Sequence, residues 1–366
     1  MKNTISLVLV LALVAGWPSG FAKADFTFGE PTMLGPNVNT SGSEGTPNTT
    51  ADGLELYFEY RGTGSYGNGD IYVSRRETIG DLWGQAVNLG PSVNSSAHEV
   101  APSLSADGLV LYFTSSRSGG DDIWLTTRET RDDPWSTPVK LGPPVNVKAH
   151  EFAPCISADS LSLYFTSQRS GGFGGDDLWV TARTNTDDPW TTPVNLGSTI
   201  NSSRHEAFPN ISVDGRVLLF CDYMGGPFRP GGQGGQDIWF ATRATIEDPW
   251  GEPVNVGPNV NSSRFDFSPH ISADGSTLYF ASDRSGATLF ENVDIWQAPV
   301  IPIVDLNTDG IVDAADMCII VDHWGTDESL CDIGPMPWGD GIVDVEDLIV
   351  LAEHLFEEFP PVEPVE

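Results

Sequence analysis

The chain has 366 residues, with 51 Asp and Glu against 18 Lys and Arg, a formal charge of −33. So acidic a surface lacks the basic footprint that nucleic acid or anionic lipid requires, and it suits a soluble exported protein that binds divalent cations. Four cysteines are too few for a disulfide scaffold.

Met1-Lys2 leads into an apolar run over residues 5–15, and Ala22-Lys23-Ala24 then offers a small-x-small cleavage pattern. Residues 1–24 read as a cleaved export signal, because the run is short for a membrane span of about 20 residues. No other stretch could cross a membrane. The mature chain, from Asp25, is expected to be secreted, periplasmic or at the cell surface. Losing Lys2 and Lys23 takes the charge from −33 to −35 and leaves Lys140 and Lys148 as the only lysines.

One phrase then recurs five times, at intervals of roughly 50 to 60 residues. Its fullest form is Pro102-Ser103-Leu104-Ser105-Ala106-Asp107-Gly108, running into Leu109-Val110-Leu111-Tyr112-Phe113, with Asp122-Ile123-Trp124 further on. It returns from Pro154 with Asp177-Leu178-Trp179, from Pro209 with Asp237-Ile238-Trp239, and from Pro269 with Asp294-Ile295-Trp296. A looser copy runs from Pro47 to Asp70-Ile71-Tyr72. Each copy parses into four strands: the Pro-led piece, a tight Ala-Asp-Gly turn into an alternating aromatic and aliphatic strand, a strand around Asp-Ile-Trp, and a last one such as Pro138-Val139-Lys140. The Asp of Asp-Ile-Trp is expected to order its loop and the Trp to pack between repeats. Cys155 and Cys221 fall within strands and read as small buried hydrophobes.

The fifth copy lacks a fourth strand after Trp296, and residues 31–39, Pro-Thr-Met-Leu-Gly-Pro-Asn-Val-Asn, carry the missing piece. A ring closed by that N-terminal strand accounts for both, and closure removes open sheet edges. The expected fold is mainly β: a five-bladed β-propeller over residues 25–300. The phrase resembles the WD40-like propeller repeats of the TolB-like type, a likeness that implies a fold rather than a task.

In such propellers the first strand of each blade lines the central channel. Glu44, Glu99, Glu151, Glu206 and Asp266 stand just before the first strands, three of them preceded by His98, His150 and His205. Arg117, Arg169 and Arg284 follow the second strands. Together these groups form a candidate ring at one mouth, able to hold a metal, a sugar or a peptide; the competing reading is that they tie adjacent blades together. The three histidines, in equivalent places, would hold a metal only if they converged.

After a short linker, 301–304, the composition changes. Asp305-Leu306-Asn307-Thr308-Asp309-Gly310-Ile311-Val312-Asp313-Ala314-Ala315-Asp316 places oxygen donors at loop positions one, three, five, nine and twelve, with the Ile311 carbonyl at seven and Gly310 at the sharp turn. That is EF-hand-like spacing for Ca2+. A helix over 317–324 should follow, with Ile320 and Trp324 on one face. The second loop offers Asp340, Ile342, Asp344 and Asp347 before a helix through Leu348, Leu351 and Leu355. Its opening ligands are replaced by Met336 and Trp338, so Asp332 would have to reach in. Cys318 and Cys331 flank the first helix as a possible disulfide.

Two calcium loops, each feeding a helix, resemble a type I dockerin over 305–358, followed by a flexible tail, 359–366. The resemblance implies docking onto a cohesin-like or other surface protein. Ala314-Ala315 and Val345-Glu346 stand where that family commonly has Ser-Thr contact pairs, which sets this chain apart from the usual cohesin recognition.

Two functions compete. One is an exported, non-catalytic binding or scaffold protein with a carbohydrate or peptide ligand on the propeller. The other is a polysaccharide-acting enzyme, a hydrolase or metal-dependent lyase. Hydrolysis of glycosides needs two unlike carboxylates, and acids recurring in register offer little asymmetry. The main irregularity is a Gly-rich insertion, residues 225–235, in the fourth repeat.

Overall fold

The computed structural model describes residues 26–355 except 224–227, 287–291, 303, 305, 307–310, 327–330 and 335–341. The expected signal at 1–24 and tail at 359–366 therefore lie outside the described residues. The chain folds as a five-bladed β-propeller followed by two short helices.

Each blade is an antiparallel sheet in chain order. The first blade pairs Ser43–Thr49, Glu55–Arg61, Asp70–Arg75 and Val87–Asn88. In the fifth, Asp266–Ile271, Thr277–Ser282 and Asp294–Pro302 take Thr32–Met33 as their outer strand, so the N-terminal segment closes the ring. Phe26–Phe28 adds a further strand against Val300–Pro302, so the last sheet strand continues into the expected linker.

The expected Pro-led strand starts earlier than the repeat suggested, at the acidic residue, and carries a bulge just before the proline. The bulged residues Thr46, Ala101, Ala153, Phe208 and Ser268 all have φ near +50°. Such a backbone costs about 1–3 kcal/mol per residue and persists only where neighbours hold it. Here the bulge amides donate to the neighbouring blade, Ala153 to the Thr114 hydroxyl at 2.9 Å and Phe208 to Thr166 at 3.2 Å. The prolines that follow bring no amide hydrogen needing a partner.

Between consecutive blades lies an aromatic and aliphatic core. Phe58, Phe113, Phe165, Phe220 and Phe280 occupy one position of each second strand and are at most 1% exposed. Each such burial contributes about 1.5–3 kcal/mol. Trp179 and Trp239 pack in these seams as expected, and Cys155 and Cys221 are buried in the core.

Two side-chain devices fasten the circle. Asn39, Asn94, Asn146, Asn201 and Asn261 each accept from and donate to one backbone residue of the Asp-Ile-Trp strand, at 2.7–2.9 Å. Asn39 makes the clamp on Ile295, joining the two ends of the propeller. Around the channel, the amides of Leu104, Ile156, Ile211, Ile271 and Thr49 donate to Asn48, Ser103, Cys155, Asn210 and His270 of the preceding blade.

The helices are α1, Ala314–Asp322, and α2, Val345–Glu353, each opened by an Asp capping box, Asp313 with Asp316 and Asp344 with Asp347. They share a small core of Val304, Leu306, Val312, Ile320, Ile333, Val343, Val350 and Leu351. Two expectations need correction here. The first helix ends at Asp322 with His323 as its cap, so Trp324 leaves the Ile320 face and is half exposed. Cys318 and Cys331 form no disulfide: Cys318 is exposed, whereas Cys331 is buried with its thiol against the Ile319 carbonyl and His323.

Candidate functional site

The acids heading the first strands are fully buried within the blades. Glu99 accepts from Ser95 N at 2.6 Å, Ser95 Oγ at 2.8 Å and Ser115 Oγ at 2.6 Å, and lies 3.1 Å from the Arg117 guanidinium. Glu151 with Arg169 at 3.4 Å and Asp266 with Arg284 at 2.6 Å repeat the pattern. The fourth blade's insertion supplies the corresponding cation, as Arg229 lies 3.2 Å from Glu206. Each guanidinium also caps a carbonyl before the first strand and lies over the Phe and Trp of its own blade, as Arg117 does over Phe113 and Trp124. These ion pairs act as internal staples.

The histidines pair with carboxylates of the preceding blade: His98 Nε2 with Glu59 at 2.8 Å, His150 Nδ1 with Asp121 at 3.5 Å, and His205 Nδ1 with Asp176 at 2.6 Å. Among the described residues no cluster of three His, Cys, Asp or Glu is placed to hold a metal.

The channel itself is pinched by Pro47, Pro102, Pro154, Pro209 and Pro269 to a space of about 30 Å³. Above the prolines lies a cavity of about 170 Å³. Of the propeller residues singled out from sequence, only Glu44 and His98 line it. Its other walls come from positions where the blades differ. Glu59, Arg61 and Asp121, from blades one and two, make a charged side, and Phe152, Phe208, Tyr223 and Phe267, from blades three to five, make an aromatic side. Rings on that side touch at centroid distances of 5.4–6.5 Å.

Glu59 was missed in the sequence, and the expectation of little asymmetry is corrected here. In the alignment of second strands its position reads Glu59, Thr114, Thr166, Cys221, Ala281, so the acid is unique to blade one. Burial pushes Glu59 up, but hydrogen bonding to His98 and the charge of Arg61 draw it below the usual carboxylate range. Glu44 behaves oppositely. Burial pushes it up to about 7, its Oε1 accepts only from Thr40, and its buried Oε2 has no partner among the described residues. One cavity therefore holds two carboxyl groups in contrasting electrostatic settings.

In the small helical module, Asp305, Asn307, Asp309 and Asp340 lie outside the described residues. Asp316 is buried and accepts from Leu306 N and Asp313 N at 2.8 and 2.9 Å; Asp347 does the same for Gly334 N and Asp344 N at 2.8 and 2.6 Å. The two halves are thus built alike. By this register Ile333 replaces Asp305 and Asp332 takes the place of Val304. The second loop is three residues longer, since its anchor spans 13 residues against 10.

No family model and no curated protein matches the chain. Its fold is similar to that of solved propellers. TolB from Acinetobacter baumannii is 17% identical, with TM-score 0.45 over 77% of this chain; the chain spans 65% of that protein's length. An α-L-arabinofuranosidase from Podospora anserina, solved with cellotriose, is 13% identical, with TM-score 0.50 over 76% of this chain and 98% of that one. A family 117 glycoside hydrolase from Zobellia galactanivorans is 12% identical, with TM-score 0.48 over 75% and 90%. At these identities the likeness is one of fold alone.

Proposed function

We propose that this is an exported carbohydrate-binding propeller, attached through a calcium-dependent C-terminal module to a cohesin-like or other surface protein. The observation that carries the binding reading is the mouth cavity, aromatic on one side and hydrogen-bonding on the other. A sugar ring has the same division, with C–H faces that pack on aromatic rings and hydroxyls that need fixed polar partners. At about 170 Å³ the cavity takes one ring of a chain, leaving the rest outside. Calorimetry with a panel of oligosaccharides tests this. Phe208→Ala should weaken any bound sugar tenfold or more, and a panel without a binder refutes the reading.

The contrast between Glu44 and Glu59 favours a second reading, glycoside hydrolysis, with Glu44 as proton donor and Glu59 as ionised partner. Release of reducing ends by the parent chain, abolished in Glu59→Gln, would establish it.

In the tail, Asp305, Asn307, Asp309, the Ile311 carbonyl, Asp313 and Asp316 would hold the first Ca2+. Asp340, Ile342, Asp344 and Asp347, with Asp332, are the donors for a second. The ion would fix the loops that present the two helices. Calcium titration of the mature chain against an Asp309→Ala, Asp316→Ala double variant tests this, and equal heats from both proteins would reject the first site.

A further inference from the structure

We infer that the mouth cavity selects a cationic sugar: a ring bearing a free ammonium group, its apolar face on Phe152 and Phe208 and its charge held at the Glu44 and Glu59 wall. This rests on the carbohydrate reading above and narrows its ligand class.

Four blades neutralise their first-strand acid with an arginine whose side chain is 10–18% exposed. Blade one has Gly62 where the second blade has Arg117. In place of a guanidinium over Trp124 at 5.0 Å, blade one stacks the Tyr60 ring edge-on against Tyr72 at 4.8 Å. Any side chain at Gly62 would collide with the Tyr60 hydroxyl. A neutral ring thus stands where the other blades keep a positive charge, and Glu44 is left with one buried oxygen unmatched among the described residues. An unpaired buried carboxyl is costly in any protonation state. Burial raising it toward neutrality is consistent with that strain.

Among the five first-strand acids, Glu44 is also the one that borders the cavity, with its carboxyl buried behind the wall. Two more carboxyl groups, Glu59 and Asp121, line the same walls. Facing them are Arg61 and His98, both engaged with Glu59, and His150, 3.5 Å from Asp121. The side chains give three acids against one permanent cation. An added positive charge fits this balance, and a sulfated or carboxylated sugar does not. At about 170 Å³ the cavity leaves room for one amino-sugar ring and too little for a long branched cation.

The test is calorimetry on the full mature chain with three matched oligomers: glucosamine oligomers with free amines, their N-acetylated forms, and cello-oligosaccharides. A trilysine peptide serves as the alternative source of ammonium. The expected result is binding of the free-amine oligomer at least tenfold tighter than either neutral sugar, weakened tenfold or more in Glu59→Gln. A Tyr60→Ser, Gly62→Arg double variant, which restores the staple of the other blades, should fold and lose the free-amine oligomer while leaving the N-acetylated one within twofold. Equal affinity for charged and neutral sugars overturns this inference and leaves the carbohydrate reading standing. Binding of trilysine alone overturns the sugar ligand, and no binding by any probe overturns both. Undiminished amine binding in the double variant also refutes the role given to Glu44.

Discussion

His270 is the channel-belt acceptor that can take up a proton, and replacing it should change how stability depends on pH. Its Nε2 accepts from Thr49 N at 2.9 Å, closing the circle of inter-blade bonds, while Nδ1 meets Asn48 and Asn210 at 3.2 and 3.1 Å. A backbone N–H facing Nε2, and the side-chain amide nitrogens of Asn48 and Asn210 facing Nδ1, all disfavour an added ring proton. Burial accordingly holds the folded-state pKa down to about 3, against about 6.5 in an unfolded chain. Between those values the unfolded state binds the extra proton, so this contribution is fully present above pH 6.5 and declines as pH falls toward 3. At pH 4 the difference is 2.5 pH units below 6.5, or about 3 kcal/mol. Asn already serves this role at Asn48 and Asn210, so His270→Asn should keep the acceptor and remove the titration. Urea unfolding followed by tryptophan fluorescence should place the variant within about 1 kcal/mol of the parent at pH 7.5. It should become the more stable protein near pH 4, by about 2–3 kcal/mol relative to that starting difference. A stability difference that stays flat from pH 7.5 to 4, or a folded-state His270 titrating near 6.5 by NMR, would refute the reasoning.

Other perturbations separate structural groups from the site. Asp266→Ala removes the acceptor for Ser262 and strands Arg284 in the blade; it should cost about 3–5 kcal/mol in urea unfolding. Glu59→Gln should cost less than about 1.5 kcal/mol, because Arg61 is half exposed and regains water. Asn39→Ala leaves the Ile295 amide and carbonyl without their clamp, with a loss of about 2–4 kcal/mol and faster proteolysis before residue 43. Asp344→Ala removes the α2 cap from Glu346 N, and should lower stability of the helical module by about 1 kcal/mol, read by helical circular dichroism on heating.

Repetition made the fold legible. Alternation in the second strands, the Asp-Gly turns and a missing outer strand matched by residues 31–39 fix blade number and closure, because each is set by local backbone chemistry and strand period. The site was harder to read for the same reason. Glu99, Glu151, Glu206 and Asp266 recur with arginines because four of the five blades share the same internal staple. Between acid and proline, the residues that face the cavity sit where repeats disagree: Gly45, Thr46, Val100, Phe152, Phe208 and Phe267. A column-by-column comparison of the copies would have exposed those positions and Glu59. The bulge that turns them into the channel was not legible, since left-handed Ala, Thr and Phe residues have no composition signal.

Position 59 shows how a repeat can carry a singular group without breaking. In the second and third blades the residue after the core phenylalanine is Thr114 or Thr166, and its hydroxyl holds the strained amide of the next blade's bulge. Glu59 cannot fill that role while it bonds His98 and Arg61. The same tie is nevertheless present: Ala101 N donates to the hydroxyl of Thr46, the first blade's own bulged residue, at 3.2 Å. Thr46 stands where the third and fourth blades have Ala153 and Phe208, so the acceptor has moved from one strand to its neighbour. The propeller keeps its inter-blade bond, and the second strand is released to place a carboxylate in the cavity. Returning Glu59 to Thr should therefore leave the bulge held twice over and the cavity short of its ionised acid. Such a variant would be stable and unable to bind, as expected if this blade carries the site.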